Sequence, residues 1–274
     1  MGIQIAFSQD PALVLSRAGE FLASEPVRHN LILSLLGARL TRPEPGRYWV
    51  AMDRDKAVGV VLQSPLTFPA TLTSMESRVI AAMVDAIADA GVSLPGVNGD
   101  AATAASFAGQ WTERCKAAAI PFQGNRLYEL LEVGEVPYIE GTLRQAVPSD
   151  RGLIIHWTRV FETEIGEPAN DTELRVERAL AARQLWLWED SEAVSMASSR
   201  EPIEGVVRLS GVYTPADKRK RGYAAACVHA LSKHRRDAGY RCILYTDLGN
   251  PTSNSIYRRI GYRAVAEILR YRFE

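Results

Sequence analysis

Residues 206–236 constrain this chain more than any other stretch. Val206-Val207-Arg208-Leu209-Ser210-Gly211-Val212-Tyr213 has the apolar content of a strand, and 224–236 has the alanines and long side chains of a helix. Between them lies a basic turn that includes Lys218, Arg219, Lys220, Arg221, Gly222, Tyr223 and Ala224. The first N–H groups of a helix lack internal partners and sit at the positive end of its dipole. An anion placed there gains hydrogen bonds and Coulomb energy together. Gly222 lets a phosphate approach the backbone, Ala224 keeps the next turn open, and Arg219, Lys220 and Arg221 add charge. The turn carries neither G-x-x-x-x-G-K-[ST] nor G-x-G-x-x-G; its spacing is R-x-x-G-x-A.

A second block reads Asn250-Pro251-Thr252-Ser253-Asn254-Ser255-Ile256-Tyr257-Arg258-Arg259-Ile260-Gly261-Tyr262. With the first, in this order and at this separation, it resembles the coenzyme A signature and later helix of the GNAT acyltransferase superfamily. More particularly it resembles the bacterial type with two tandem domains, the N-terminal one degenerate. Lys220 departs from the pattern, since many relatives have glycine there.

The resemblance implies an α/β (α+β) fold with two GNAT-like domains, each a mixed, mostly antiparallel twisted sheet flanked by helices. It also implies acetyl-CoA as the acyl donor. Residues 219–224 would hold its pyrophosphate. Gly211, Val212, Tyr213 and Thr214 would hydrogen-bond the pantetheine arm and polarise the carbonyl through the main chain. Asn250 and Asn254 would contact the cofactor, and Tyr257 would be the general acid toward the departing thiolate. The plainer alternatives are a core ring for Tyr257 and a helix cap for Asn250.

The remaining composition fits a globular enzyme. At 274 residues the chain is long for one domain, so two of about 130 residues are expected. Lys+Arg and Asp+Glu number 32 each, which removes any overall charge drive toward nucleic acid or an anionic membrane. No apolar run reaches the length of a membrane span. The N-terminus lacks a positive segment before an apolar core, and Ala6 breaks a myristoylation pattern, so the expected location is the cytoplasm. Cys115, Cys227 and Cys242 are odd in number and set among apolar or helical neighbours, and are expected to be buried thiols. His156, His229 and His234 are isolated from any nucleophile, and no metal site is expected.

An internal echo supports two domains. Gly59-Val60-Val61, an amphipathic helix and Asp89-Ala90-Gly91 parallel Gly205-Val206-Val207, a helix and Asp237-Ala238-Gly239, with the two Asp-Ala-Gly turns 148 residues apart. The first copy has no phosphate turn between Pro69 and Val79. The division is expected near 132–137, giving a degenerate domain at 1–134 and a catalytic one at 135–274. In the latter, Pro148-Ser149-Asp150 starts a helix carrying Leu153, Trp157, Val160 and Phe161, and Leu185-Trp186-Leu187-Trp188 forms an interior strand.

The expected activity is N-acyl transfer to a small-molecule or peptide amine, by direct attack in a ternary complex. A non-catalytic acyl-CoA sensor is the alternative. Nucleic-acid binding through the basic helix is a third class, disfavoured by the neutral chain and the lack of base-reading modules. A homodimer is the expected assembly. Glu162, Glu164, Glu189, Asp190, Glu201, Glu204 and Asp247 are candidate bases with no spacing that selects one. The acceptor pocket is expected along 148–164, near Asn170, and in the first domain.

Overall fold

The computed structural model describes residues 2–166 and 171–274. Ten elements follow one another in the first half: β1 (Gln4–Ser8), α1 (Pro11–Ser24), α2 (Asn30–Thr41), β2 (Arg47–Asp53), β3 (Lys56–Gln63), β4 (Ala70–Leu72), α3 (Ser77–Asp89), β5 (Gly96–Asp100), α4 (Ala101–Cys115) and β6 (Ala119–Leu130). The same order then recurs: β7 (Thr142–Gln145), α5 (Arg151–Ile165), α6 (Thr172–Ala181), β8 (Leu185–Asp190), β9 (Glu192–Ser199), β10 (Val206–Tyr213), α7 (Tyr223–Asp237), β11 (Arg241–Asp247), α8 (Pro251–Ile260) and β12 (Tyr262–Phe273).

The repetition corrects the echo read from sequence by one strand. The strand entering the crossover helix α3 is β4, so β4 rather than Gly59–Gln63 corresponds to β10. Ala70, Thr71 and Leu72, read as part of a vanished phosphate turn, are that strand. Three residues are too few for a periodic signal.

Two compact units are present. One takes the chain up to Leu127 together with Thr246–Asn250 and Ala264–Glu274; the other takes Tyr128–Tyr245 and Pro251–Arg263. In the first unit β1 to β4 pair antiparallel in sequence order, and β4 pairs parallel with β5 across the α3 crossover. The C-terminal strand then closes on β5 antiparallel, from Ile268↔Asp100 to Arg272↔Gly96. This gives the β5 backbone a partner it would otherwise lack. Phe273 adds its ring to Trp111, centroids 5.7 Å apart. Asp10 starts α1 by accepting the Ala12 N–H at 2.8 Å, ahead of Pro11.

In the second unit β7 to β10 pair antiparallel, and β10 pairs parallel with β11. Each unit is thus a mixed, mostly antiparallel sheet flanked by helices, as expected from the sequence. Alternation sorts the second sheet into two faces. Trp186, Trp188, Val207, Leu209, Cys242 and Leu244 pack with α7, while Leu187, Met196 and Tyr213 pack with Ile154, Trp157 and Val176. Trp157 and Phe161 are therefore core residues against Tyr213, at 6.0 and 6.2 Å between centroids. Asp150 prepares α5 by accepting from the Val147 N–H and from Arg144.

Residues 131–141 form no helix or strand, yet the stretch is anchored. Gly134 donates its N–H to Ile260 at 2.7 Å, and Val133, Val136 and Ile139 pack on the core. His229 Nε2 lies 3.0 Å from the Gly134 carbonyl, so that nitrogen carries the proton. Of the cysteines, Cys227 and Cys242 are buried, and burial pushes both thiols up to about 12. Cys115 is exposed, against expectation, because it is the last residue of α4, one turn past Trp111, the last buried residue of that helix.

Candidate active site

The site begins where β10 parts from its neighbours. Its parallel ladder with β11 runs from Val206↔Arg241 to Leu209↔Leu244 and stops, although β10 continues to Tyr213. On the other side, pairing with β9 jumps from Ser210↔Ser198 to Tyr213↔Met196. Gly211 sits in that bulge with φ +59°, a conformation glycine adopts without cost. The main chain of Gly211 and Val212 is thereby turned out of both ladders. The Tyr213 and Thr214 side chains are buried. Ser195 Oγ donates to the Tyr213 carbonyl at 3.0 Å and lies 2.9 Å from Thr214 Oγ1.

The basic turn follows as one short 3-10 turn, Ala216–Lys218, and then α7. Gly222 is the N-cap of α7 at φ +86°, and no side chain caps the helix. The first N–H groups of α7 thus keep the anion-binding capacity of a helix start. Arg219 does not project there. Its guanidinium grips both carboxylate oxygens of Glu164 at 2.7 and 2.8 Å, donates to the Thr214 carbonyl at 2.9 Å, and lies over the Tyr213 ring. It is committed to holding the turn against α5. Lys218 pairs with Glu192, and Tyr223 donates to Asp190 at 2.6 Å. Lys220 and Arg221 are exposed and make no ion pair among the described residues.

Lys220 has φ +63°, which explains why glycine suits this place. A side chain in the left-handed region costs about 1 kcal/mol. Lys220→Gly should therefore leave stability level or raise it by up to about 1 kcal/mol, read from denaturant midpoints, with the entropy of the unfolded glycine offsetting part of the relief.

Tyr257 lies in the middle of α8, 8% exposed. Its ring stands 6.5 Å from Tyr128 and 6.1 Å from Tyr262. Desolvation pushes its phenol up to about 12, so the group is protonated at neutral pH. Its hydroxyl makes no hydrogen bond among the described residues and is not sealed from solvent. Asn254, one turn earlier, is buried and accepts the Tyr128 hydroxyl at 3.0 Å through Oδ1. Asn250 precedes α8 and donates its N–H to the Asp247 carbonyl at 3.1 Å.

Several carboxylates have visible work elsewhere. Glu162 is buried, paired with Arg175 and accepting from Thr172. Glu164, Glu189 and Asp190 hold Arg219, Arg144 and Tyr223. Asp247 accepts the Gly249 N–H at 2.6 Å. No base stands out from these contacts. The segment near Asn170 lies outside the described residues. Sequence reasoning missed the residues that support the site, namely Tyr128 beneath Asn254, Glu164 beneath Arg219, and Ile139 beside Gly222. Each is remote in sequence from the residue it supports, and none carries a local signal.

Residues 189–271, which span β9 to β12, match the family model described as FR47-like protein. No curated protein sequence matches the chain. A GNAT-family acetyltransferase from Colwellia psychrerythraea aligns over all of both chains at 13% identity and TM-score 0.64. A GCN5-related N-acetyltransferase from Sphaerobacter thermophilus aligns over 98% of this chain and 95% of its own, at 15% identity and TM-score 0.62. One from Kribbella flavida covers 88% and 93%, at 17% identity and TM-score 0.54. The chain thus shares the fold of these GNAT acetyltransferases, and its segment 189–271 is similar to the FR47-like family.

Proposed function

We propose that the chain is an N-acyltransferase that moves an acetyl or other short acyl group from acyl-CoA to a small-molecule or peptide amine, by direct attack in a ternary complex. The observation that carries this reading is the release of Gly211 and Val212 from both β10 ladders, on the strand that leads into an uncapped helix start at Gly222. The two features suit the two ends of one ligand, a thioester arm and a pyrophosphate. When bound, acyl-CoA supplies an activated carbonyl.

The chain's own residues supply the rest. The N–H groups of Gly222, Tyr223 and Ala224, with Lys220 and Arg221 beside them, hold the phosphates. The main chain of Gly211, Val212, Tyr213 and Thr214 takes the pantetheine arm as an added strand edge and directs an N–H at the developing oxyanion. Asn250 and Asn254 mark the start of α8 on the cofactor side. Tyr257 donates its proton toward the leaving sulfur. Among the described residues no helix is long and apolar enough to cross a membrane. A homodimer in the cytoplasm, with no nucleic-acid partner, completes the proposal.

The test is a screen of amines with acetyl-CoA, followed by release of free thiol. Amine-dependent release is expected. Saturable stabilisation by CoA without release from any amine would overturn catalysis in favour of an acyl-CoA sensor. Gly222→Val should raise the KM for acetyl-CoA about tenfold, the loss of roughly 1.4 kcal/mol of backbone hydrogen bonding, with the acceptor KM unchanged. An added Cβ meets only the flexible end of Ile139, at 2.7 Å, besides the cost of a positive φ.

A further inference from the structure

Arg208 is not used by the cofactor-binding reading. Several arginines meet carboxylates, Arg39 with Glu44, Arg144 with Asp150 and Glu189, Arg219 with Glu164, and Arg241 with Glu129, while Arg235 lies over the Trp186 ring and Arg236 donates to the Leu130 and Leu131 carbonyls. Arg208 is half-buried on β10, and among the described residues its guanidinium has no carboxylate within ion-pair distance and no hydrogen-bond partner. The charged or titratable groups that act on it are a second cation, Arg200, and the phenol of Tyr245. Desolvation, then Arg200, holds its guanidinium below the usual arginine range. An uncompensated cation beside another cation costs stability, and such a cost marks a group kept for a ligand.

Its position in the sheet indicates which ligand. Val207 and Leu209 are sealed in the core under α7, so Arg208 and Ser210 project from the opposite face. Across the β9 ladder on that face stand Arg200, whose N–H donates to the Arg208 carbonyl at 3.0 Å, and Ser198, whose Oγ lies 2.8 Å from Ser210 Oγ. On the other side Arg208 is in register with Ile243, two residues before Tyr245. The Gly211 bulge is three residues further along β10, about 10 Å at the usual strand rise. The phosphate turn begins only beyond Thr214. An anion at Arg208 is therefore on the acceptor's side of the reacting carbonyl, not among the cofactor phosphates.

We infer that Arg208 recognises a carboxylate on the acceptor, so that the amine substrates of this enzyme are amino acids or related amino-carboxylates. The inference rests on the acyl-transfer reading above. A planar guanidinium pairs with a carboxylate through two parallel hydrogen bonds, which fixes the direction of the acceptor as well as its charge. Ser198, Ser210 and the Tyr245 phenol supply neutral polar walls, which place no negative charge against that carboxylate.

The experiment compares glycine, β-alanine, 4-aminobutyrate and 6-aminohexanoate with their amides, by acetyl-CoA-dependent thiol release. At least one acid should exceed its amide tenfold or more in kcat/KM. Arg208→Gln should abolish that preference while leaving the amide rate and the acetyl-CoA KM unchanged, and Arg208→Lys should restore part of it. Equal turnover of every acid and its amide, or equal loss of both in Arg208→Gln, overturns the inference and leaves acyl transfer standing. Stability separates a ligand-binding role from a structural one: Arg208→Met should melt at the native temperature or higher, and a clear drop overturns the inference. Binding is read independently by thermal upshift, which the acids should give with the native chain, and neither their amides nor Arg208→Gln should show. If that shift appears without any thiol release, the acyl-transfer reading fails and the carboxylate site stands; if no acid gives it, the site itself is overturned.

Discussion

Gly261→Ala is expected to destabilise the protein by roughly 3 kcal/mol or more, seen as a large drop in the denaturant midpoint or as failure to accumulate folded. Gly261 lies between α8 and β12 with φ +114°. A Cβ there would stand 1.9 Å from the Glu132 carbonyl oxygen and 3.1 Å from the Gly134 nitrogen. Both are main-chain atoms of the anchored stretch 131–141, whose Gly134 N–H bonds Ile260. No rotamer change relieves the clash, so the backbone must move and the last turn of α8 moves with it. Gly91→Ala is the matched control. It also has positive φ, at +65°, but an added Cβ would meet nothing within 4 Å. It should cost only about 1 kcal/mol. Equal costs for the two would mean that the conformation, not the close approach of the chain, accounts for Gly261.

Tyr257→Phe is expected to lower kcat by about 100-fold or more, with little change in the KM for acetyl-CoA. Tyr257 is nearly buried in a cluster with Tyr128 and Tyr262, so losing only the hydroxyl leaves the ring packing intact. The hydroxyl has no hydrogen-bond partner among the described residues, and the folded state gives up little when it is removed. An unchanged melting temperature with a large loss in kcat is the pattern of a group acting on the leaving thiolate. A fall in stability with unchanged kcat would make Tyr257 a core residue only.

Acidity refines the same expectation. Desolvation raises the Tyr257 phenol to about 12, so the proton is in place throughout the neutral range and the group cannot produce a falling alkaline limb in kcat below about pH 11. Its folded-state value lies above the ordinary phenol, so its contribution to stability is complete below about pH 10 and lost as pH rises toward 12.

Much of the second unit was legible because its chemistry is local. The turn at 219–224 and the block at 250–262 each pack several requirements into a dozen residues: a glycine where the helix must start, an asparagine before the prolyl turn, and a tyrosine one face along. Arg219 shows where that reading reached its limit. The sequence counts it as phosphate-binding charge, but Glu164 lies 55 residues away and binds it in the folded chain. Cys115 was read as buried because its neighbours are helical, and where packing along a helix stops depends on what lies against its last turn. The echo between halves was visible as an order of elements, yet its strand pairing slipped because β4 spans only Ala70–Leu72.

The amino-acid sequence by itself determined the order of elements, the two signature blocks, and the residue types able to hold an anion and deliver a proton, since these follow from periodicity, backbone freedom and side-chain chemistry over short distances. Only tertiary structure decided that β12 closes on β5 in the first unit, that β10 leaves both ladders at Gly211, and that Arg208 stands without a carboxylate among the described residues. Ladders and ion pairs join residues far apart in the chain, and no local propensity encodes which partner arrives.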